Sequence, residues 1–161
     1  MTAPTWKGRR GEWFVAVQLV LFAFVAFGPR TLPVLPAWRW PEFWSAAGFA
    51  LIVAGLLLAA WASLHLLGAR AFTPLPYPRD GGRLVETGPY GLARHPIYAG
   101  VLLCAFGWAV RVQGTLTLAY ALVLFALLDV KSRREERWLA ARFSGYVRYR
   151  RRVRKLIPFV W

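Results

Sequence analysis

Acidic residues are scarce in this 161-residue chain, seven against 21 Lys and Arg, and it has one cysteine and two histidines. A single Cys104 excludes an intrachain disulfide. Two histidines are too few for a zinc-type ligand cluster, so no metal is expected. No G-x-G-x-x-G stretch occurs, which removes the dinucleotide fingerprint of a Rossmann fold. Charge is also missing over long distances: in "FWSAAGFALIVAGLLLAAWASLHLLG" (43 to 68) the nearest charges on either side are Glu42 and Arg70.

The chain has plenty of apolar surface, with 58% hydrophobic and 16% aromatic residues. That exceeds the roughly half apolar usage of soluble domains and points to one integral-membrane domain over 1–161. The predicted class is all-α, with about four transmembrane helices at 13–28, 43–68, 97–112 and 115–130. An amphipathic helix at 131–155 should follow them. The start "WKGRRGEWFVAVQLVLFAFVAFG" imitates a signal peptide, but Pro29 and Arg30 stand where a small-residue cleavage site is wanted. It is therefore expected to remain as the first helix.

A net charge of +14 ordinarily raises nucleic acid as a partner. Its distribution argues for topology instead. Lys7, Arg9, Arg10, Arg70, Arg79, Arg83, Arg94 and eleven residues from Lys131 to Lys155 fall on one set of connections. Arg30, Arg39 and Arg111 fall on the other. Eighteen against three places both termini in the cytoplasm by the positive-inside rule. The expected partners are thus a lipid bilayer, with a bacterial inner membrane as the expected location, and no nucleic acid.

Between helices one and two, "GPRTLPVLPAWRWPEF" carries four prolines and makes an outer turn, with Trp38, Trp40 and Trp44 forming an interfacial belt. The third and fourth apolar runs are short, roughly 20 Å each, against a hydrocarbon core of about 30 Å. Gly48, Gly55, Gly100, Cys104 and Gly107 form small-residue stripes suited to close helix packing. On a helical wheel of the tail, Leu139, Phe143, Tyr146 and Val153 share an apolar face. Arg133, Arg134, Arg137, Arg148, Arg151, Arg152 and Lys155 gather opposite it, which suits an anionic lipid surface. Glu135 and Glu136 fall nearer the apolar face, and acids placed there need partners.

The chemistry concentrates in "TGPYGLARHPIYAG" (87 to 100). Pro96 suits the first turn of a helix, where its missing N–H costs nothing, and it drives His95 toward an extended conformation just outside. Arg94 and His95 are thereby fixed at a partly wet helix entrance, beside orphan backbone N–H groups that favour an anion. His65, near the end of helix two, reads as a polar anchor outside the site.

"LVETGPYGLARHPIYAG" (84 to 100), followed by "EERWLAARFSGYVRYRRRVRKLIP" (135 to 158), resembles the integral-membrane methyltransferases. These comprise isoprenylcysteine carboxyl methyltransferases, phospholipid methyltransferases and bacterial relatives that use S-adenosylmethionine. The resemblance covers residues 73 to 158, about half the chain. It implies that Leu84, Val85, Tyr90, Arg94, His95, Pro96 and Tyr98 line a cofactor pocket on the cytoplasmic side, with Glu135 or Glu136 contributing from the last helix. One glutamate should face the cofactor's cationic methionyl end, Glu135 being favoured, while the other pairs with Arg94 or Arg142. No catalytic residue is assigned.

Departures at Gly91, Ala93, Ser144 and Arg154, and a Tyr one residue early at 146, bear on the acceptor more than on the cofactor. The implied reaction is methyl transfer to a lipophilic acceptor, an isoprenylcysteine-like carboxylate or a lipid headgroup. Two other readings compete. The R-H-P-x-Y end also occurs in nicotinamide-dependent sterol reductases, and a non-enzymatic adaptor would use only the basic tail.

Overall fold

The computed structural model describes residues 11–32, 41–73, 75, 81 and 83–156. Trp38, Trp40, the basic residues at 7, 9 and 10, and the Ile157-Pro158 end of the family-like pattern lie outside them. The described residues form six helices: α1 (Glu12–Phe27), α2 (Phe43–Gly68), α3 (Pro89–Leu92), α4 (Pro96–Val112), α5 (Thr115–Arg142) and α6 (Tyr146–Arg152). Among the described residues there is no strand, only one isolated parallel bridge between Ala93 and Arg154.

Helices α2 and α5 are long and apolar enough to cross a membrane, while α1 and α4 are apolar but shorter. At 1.5 Å per residue, α2 and α5 extend about 39 and 42 Å, and α1 and α4 only about 24 and 26 Å. The most apolar window of α2 is just 11% buried inside the protein. Its outward Phe49, Leu56, Leu57 and Leu64 are exposed, as expected of side chains that meet hydrocarbon instead of water.

The tail requires a correction. Residues 131–155 do not form one amphipathic helix, because "TLTLAYALVLFALLDVKSRREERWLAAR" contains no Gly or Pro to stop α5 at residue 130. The helix runs on to Arg142 and ends where Phe143 turns extended, at φ −117° and ψ 113°. A second short helix, α6, then begins after Gly145. The apolar face of the tail packs on protein: Tyr146, Tyr149 and Val153 cluster with Leu84, Leu139 and Phe143. Lys155, expected on the exposed basic face, is buried and bonds the Asp129 carboxylate.

Helix α4 packs against α2 on one side and α5 on the other, α5 packs on α1, and α1 does not touch α2. The α2–α4 seam is the closest. A Cβ on Gly48 would stand 2.6 Å from the Gly107 carbonyl oxygen, and one on Gly55 would stand 2.5 Å from that of Gly100. Only hydrogen fits at these crossings, so the backbones approach to a distance no other residue allows. Cys104 sits in the same seam with Sγ 3.5 Å from the Ile52 carbonyl, a packing role. Between α4 and α5, Gln113 takes a left-handed φ of 50° and the Gly114 N–H donates to the Ala109 carbonyl. This closes a two-residue reversal that makes the helices antiparallel. Leu102, Ala105, Ala121, Leu124 and Leu128 fill the core between them, with Val25 from α1.

Substituting Gly100→Val should lower the thermal midpoint in detergent through overpacking of about 1–3 kcal/mol or more. Gly68→Ala, at a position with nothing within 4 Å of the added carbon, should leave it unchanged. Equal midpoints for the two variants would contradict the close seam.

Candidate active site

The antiparallel order brings the start of α1, the end of α2, the start of α4 and the end of α5 to one end of the bundle. There the "RHP" step does what its sequence dictates. Pro96 occupies the first turn of α4, and His95 caps it with φ −127° and ψ 60°. The Ala99 N–H returns to the His95 carbonyl at 3.0 Å. His95 is only 6% exposed, drier than the partly wet entrance the sequence suggested, and the backbone of residues 154 and 155 pairs with the "RH" step. The Arg94 N–H donates to the Arg154 carbonyl at 2.8 Å and the His95 N–H to that of Lys155 at 3.0 Å.

Adjacent glutamates diverge by about 100° on a helix, and here they do different work. Glu136, 5% exposed, accepts from Arg94 Nε at 2.9 Å and lies 3.1 Å from His95 Nε2 and 3.5 Å from Arg150 Nε. A carboxylate can only accept, so His95 Nε2 carries the proton in that contact. Arg94 Nη1 donates to the carbonyls of Arg150, at 3.2 Å, and Val153. Glu135 accepts from the Tyr98 hydroxyl at 2.8 Å and lies 3.8 Å from His95 Nδ1. The His95 and Tyr98 rings stack with centroids 5.3 Å apart.

Beside this network lies a cavity of about 300 Å³, at the small end of ligand sites. Of the nine residues singled out from the sequence, Leu84, Val85, Tyr90, Arg94, His95, Tyr98 and Glu135 line it. Pro96 and Glu136 do not; they hold residues that do. Sequence reasoning missed Gln18, Arg83, Lys131, Tyr146 and Tyr149, which also line the cavity. Gln18 did carry a signal, as the one polar side chain inside the apolar run of α1. Tyr146 and Tyr149 belong to the apolar side of α6. His65 lies outside the cavity, packing its ring against Gly88 at the "GPYG" turn.

The Tyr149 hydroxyl donates to the Tyr90 carbonyl at 2.6 Å, joining α6 to α3. Burial pushes the Tyr90 and Tyr146 phenols well above their ordinary range, reinforced by the negative charges of Glu135 and Glu136 respectively. Both stay protonated. The Tyr146 hydroxyl is buried with no hydrogen-bond partner among the described residues. Such groups are rare and expensive unless a ligand satisfies them.

Fold and cavity together define a small helical protein of membrane type with its polar chemistry gathered at one end. The phospholipid methyltransferase family profile matches residues 43–145, and the chain belongs to this methyltransferase family. The cobalt-zinc-cadmium resistance protein CzcN of Cupriavidus metallidurans is 32% identical over 94% of this chain and 64% of the relative. A nickel-cobalt-cadmium resistance protein of Alcaligenes xylosoxydans is 29% identical, over 94% and 65%. The chain thus spans just under two thirds of the length of these metal-resistance relatives. A probable protein-S-isoprenylcysteine O-methyltransferase of Oryza sativa is 30% identical over 98% of this chain and 87% of the relative.

Glu136→Gln leaves buried Arg94 and His95 facing a neutral group and should destabilise the fold by about 3–5 kcal/mol. Chemical denaturation in detergent measures it. A loss below about 1 kcal/mol would show that the network is not a structural centre.

Proposed function

We propose that the protein is a membrane enzyme transferring a methyl group from S-adenosylmethionine to a lipophilic acceptor that enters from the inner leaflet. The observation that carries this reading is the division of labour between Glu135 and Glu136. Glu136 is committed to Arg94 and His95, leaving Glu135 as the carboxylate on the cavity wall.

The lining fits the proposed cofactor. Glu135 offers an anion for the methionyl ammonium, the Tyr90 and Tyr146 hydroxyls offer donors, and Leu84 and Val85 offer apolar walls for the adenine. When bound, the cofactor supplies an electrophilic methyl carbon, which passes to the acceptor as the carbon–sulfur bond breaks and its electron pair stays on sulfur. The protein's task is then alignment and exclusion of water. Stacking on Tyr98 and bonding to Glu136 fix the His95 ring, and the carbonyls of Arg154 and Lys155 hold the backbone that carries it. For a carboxylate acceptor no proton needs to move. An amine or thiol would need to lose one, with Glu135 or His95 as the bases within the cavity wall.

The proposed topology has four spans, with α1 and α4 extended by their flanking residues or by local thinning of the bilayer. Both termini and the cavity face the cytoplasm of a bacterial inner membrane. The eighteen-to-three basic asymmetry supports it. Reporter fusions at residue 86 and at the C-terminus should both report a cytoplasmic location; an external residue 86 would deny the cavity its cytosolic cofactor.

Calorimetry on the purified protein should show binding of S-adenosylhomocysteine and none of NADPH. Glu135→Gln should weaken the former about ten- to a hundredfold through loss of a charge-assisted contact, with little change in melting temperature. NADPH binding instead would favour the reductase reading, and wild-type affinity in the Gln variant would remove Glu135 from the site.

A further inference from the structure

His65 lies outside the cavity, yet it stands against the turn that delivers a cavity residue. Its place on α2 is fixed by hydrogen bonds. The end of that helix closes with the Ala71 N–H donating to the Leu66 carbonyl at 2.8 Å and the Arg70 N–H to that of Leu67 at 3.0 Å. Arg70 takes the left-handed φ of 54° that such a closure needs, a conformation usually left to glycine. The imidazole is held as well. Nδ1 lies 3.3 Å from the Trp61 carbonyl, one turn back, and since a carbonyl only accepts, Nδ1 carries the proton of that contact. The Trp61 ring meets the imidazole edge-on, with centroids 5.8 Å apart.

Against this ring stands Gly88. Its φ of 59° and ψ of −131° are those of the first central residue of a type II′ turn, which the Tyr90 N–H closes by donating to the Thr87 carbonyl at 3.2 Å. Glycine is required twice over here. The positive φ disfavours any side chain, and a Cβ would stand 2.7 Å from His65 Cδ2 and closer still to Nε2. The turn leads directly into α3, whose Tyr90 is buried and lines the cavity. A helix of four residues has no stability of its own, so neighbours decide where α3 lies. From α6 the Tyr149 hydroxyl holds the Tyr90 carbonyl, and from α2 His65 meets the turn. Leu66, about 100° further round α2, faces the cavity itself, so one turn of α2 supplies both a wall and a support. Resting on the methyl-transfer reading, we propose that His65 is a positioning residue: braced on α2, it seats Gly88 and so sets where Tyr90 meets the cofactor.

The test pairs calorimetric titration of the full-length protein with S-adenosylhomocysteine, in detergent, with thermal melting of the same samples. His65→Ala should weaken binding about tenfold and move the midpoint little, because His65 is only half-buried at a helix end. His65→Gln, a second truncation that keeps a polar chain but no ring, should behave alike. His65→Phe restores a ring against Gly88 and should return the affinity to within about twofold of wild type. A double-mutant cycle shows whether the effect runs through Tyr90. Tyr90→Phe should weaken binding by itself, and adding His65→Ala to it should cost about threefold or less, since the hydroxyl that His65 places is already gone. Wild-type affinity in both truncations overturns the proposal, as does wild-type affinity in Tyr90→Phe. A loss that Phe does not relieve, or one undiminished in the Tyr90→Phe background, overturns it too. If wild type fails to bind S-adenosylhomocysteine at all, the methyl-transfer reading falls and this one with it. A cofactor-competent protein indifferent to residue 65 removes the role of His65 alone.

Discussion

Everything at the functional end of this protein depends on the buried carboxylate of Glu136. An anion at 5% exposure is tolerable only with hydrogen-bond donors and cations around it, and those groups come from distant parts of the chain. Arg94 and His95 stand at the start of α4, and Arg150 comes from α6. Arg94 also donates through Nη1 to carbonyls at the end of α6. One charge therefore requires α4, α5 and α6 to meet, and the 153–155 segment lies along the "RH" backbone as a consequence. The family-like motif and the tail are two halves of one electrostatic unit.

The glycine seam supplies the complementary constraint. Close approach at Gly48–Gly107 and Gly55–Gly100 fixes how α2 lies against α4, and that in turn puts Leu66 and Tyr98 on facing sides of the cavity. Polar pairing alone would leave the apolar helices free to slide. Small-residue packing in a lipid setting gains most from such contact, since the hydrophobic effect provides little force between helices there.

The scarcity of acid gains a meaning from the fold. Four of the seven acidic residues are engaged at this end: Glu86 with Arg152, Asp129 with Arg133 and Lys155, Glu135 with Tyr98, and Glu136 with Arg94. In a chain so basic, each carboxylate determines where a cation can be buried. Arg137, Arg148 and Arg151 lie exposed, where the asymmetry that orients a membrane protein is expected.

Local chemistry made much of this legible from the sequence alone. An uninterrupted apolar run specifies α2 as a membrane-length helix, Pro96 fixes the start of α4, and the glycines mark the seam. The spacing of "RHP" and "EE" carries the methyltransferase resemblance, and the 100° step between neighbouring residues already required Glu135 and Glu136 to have different roles. Tertiary structure alone decided the rest. A helical wheel averages over a segment it assumes continuous, so it could not show α5 running through residues 131–142, or Lys155 turning inward to Asp129. Nor could it tell lipid from protein as the partner of the Tyr146 face, since both are apolar. The identity of the cavity wall was equally out of reach. Gln18 and Lys131 are separated by 113 positions, and no local preference encodes a contact that exists only once α1 has packed on α5.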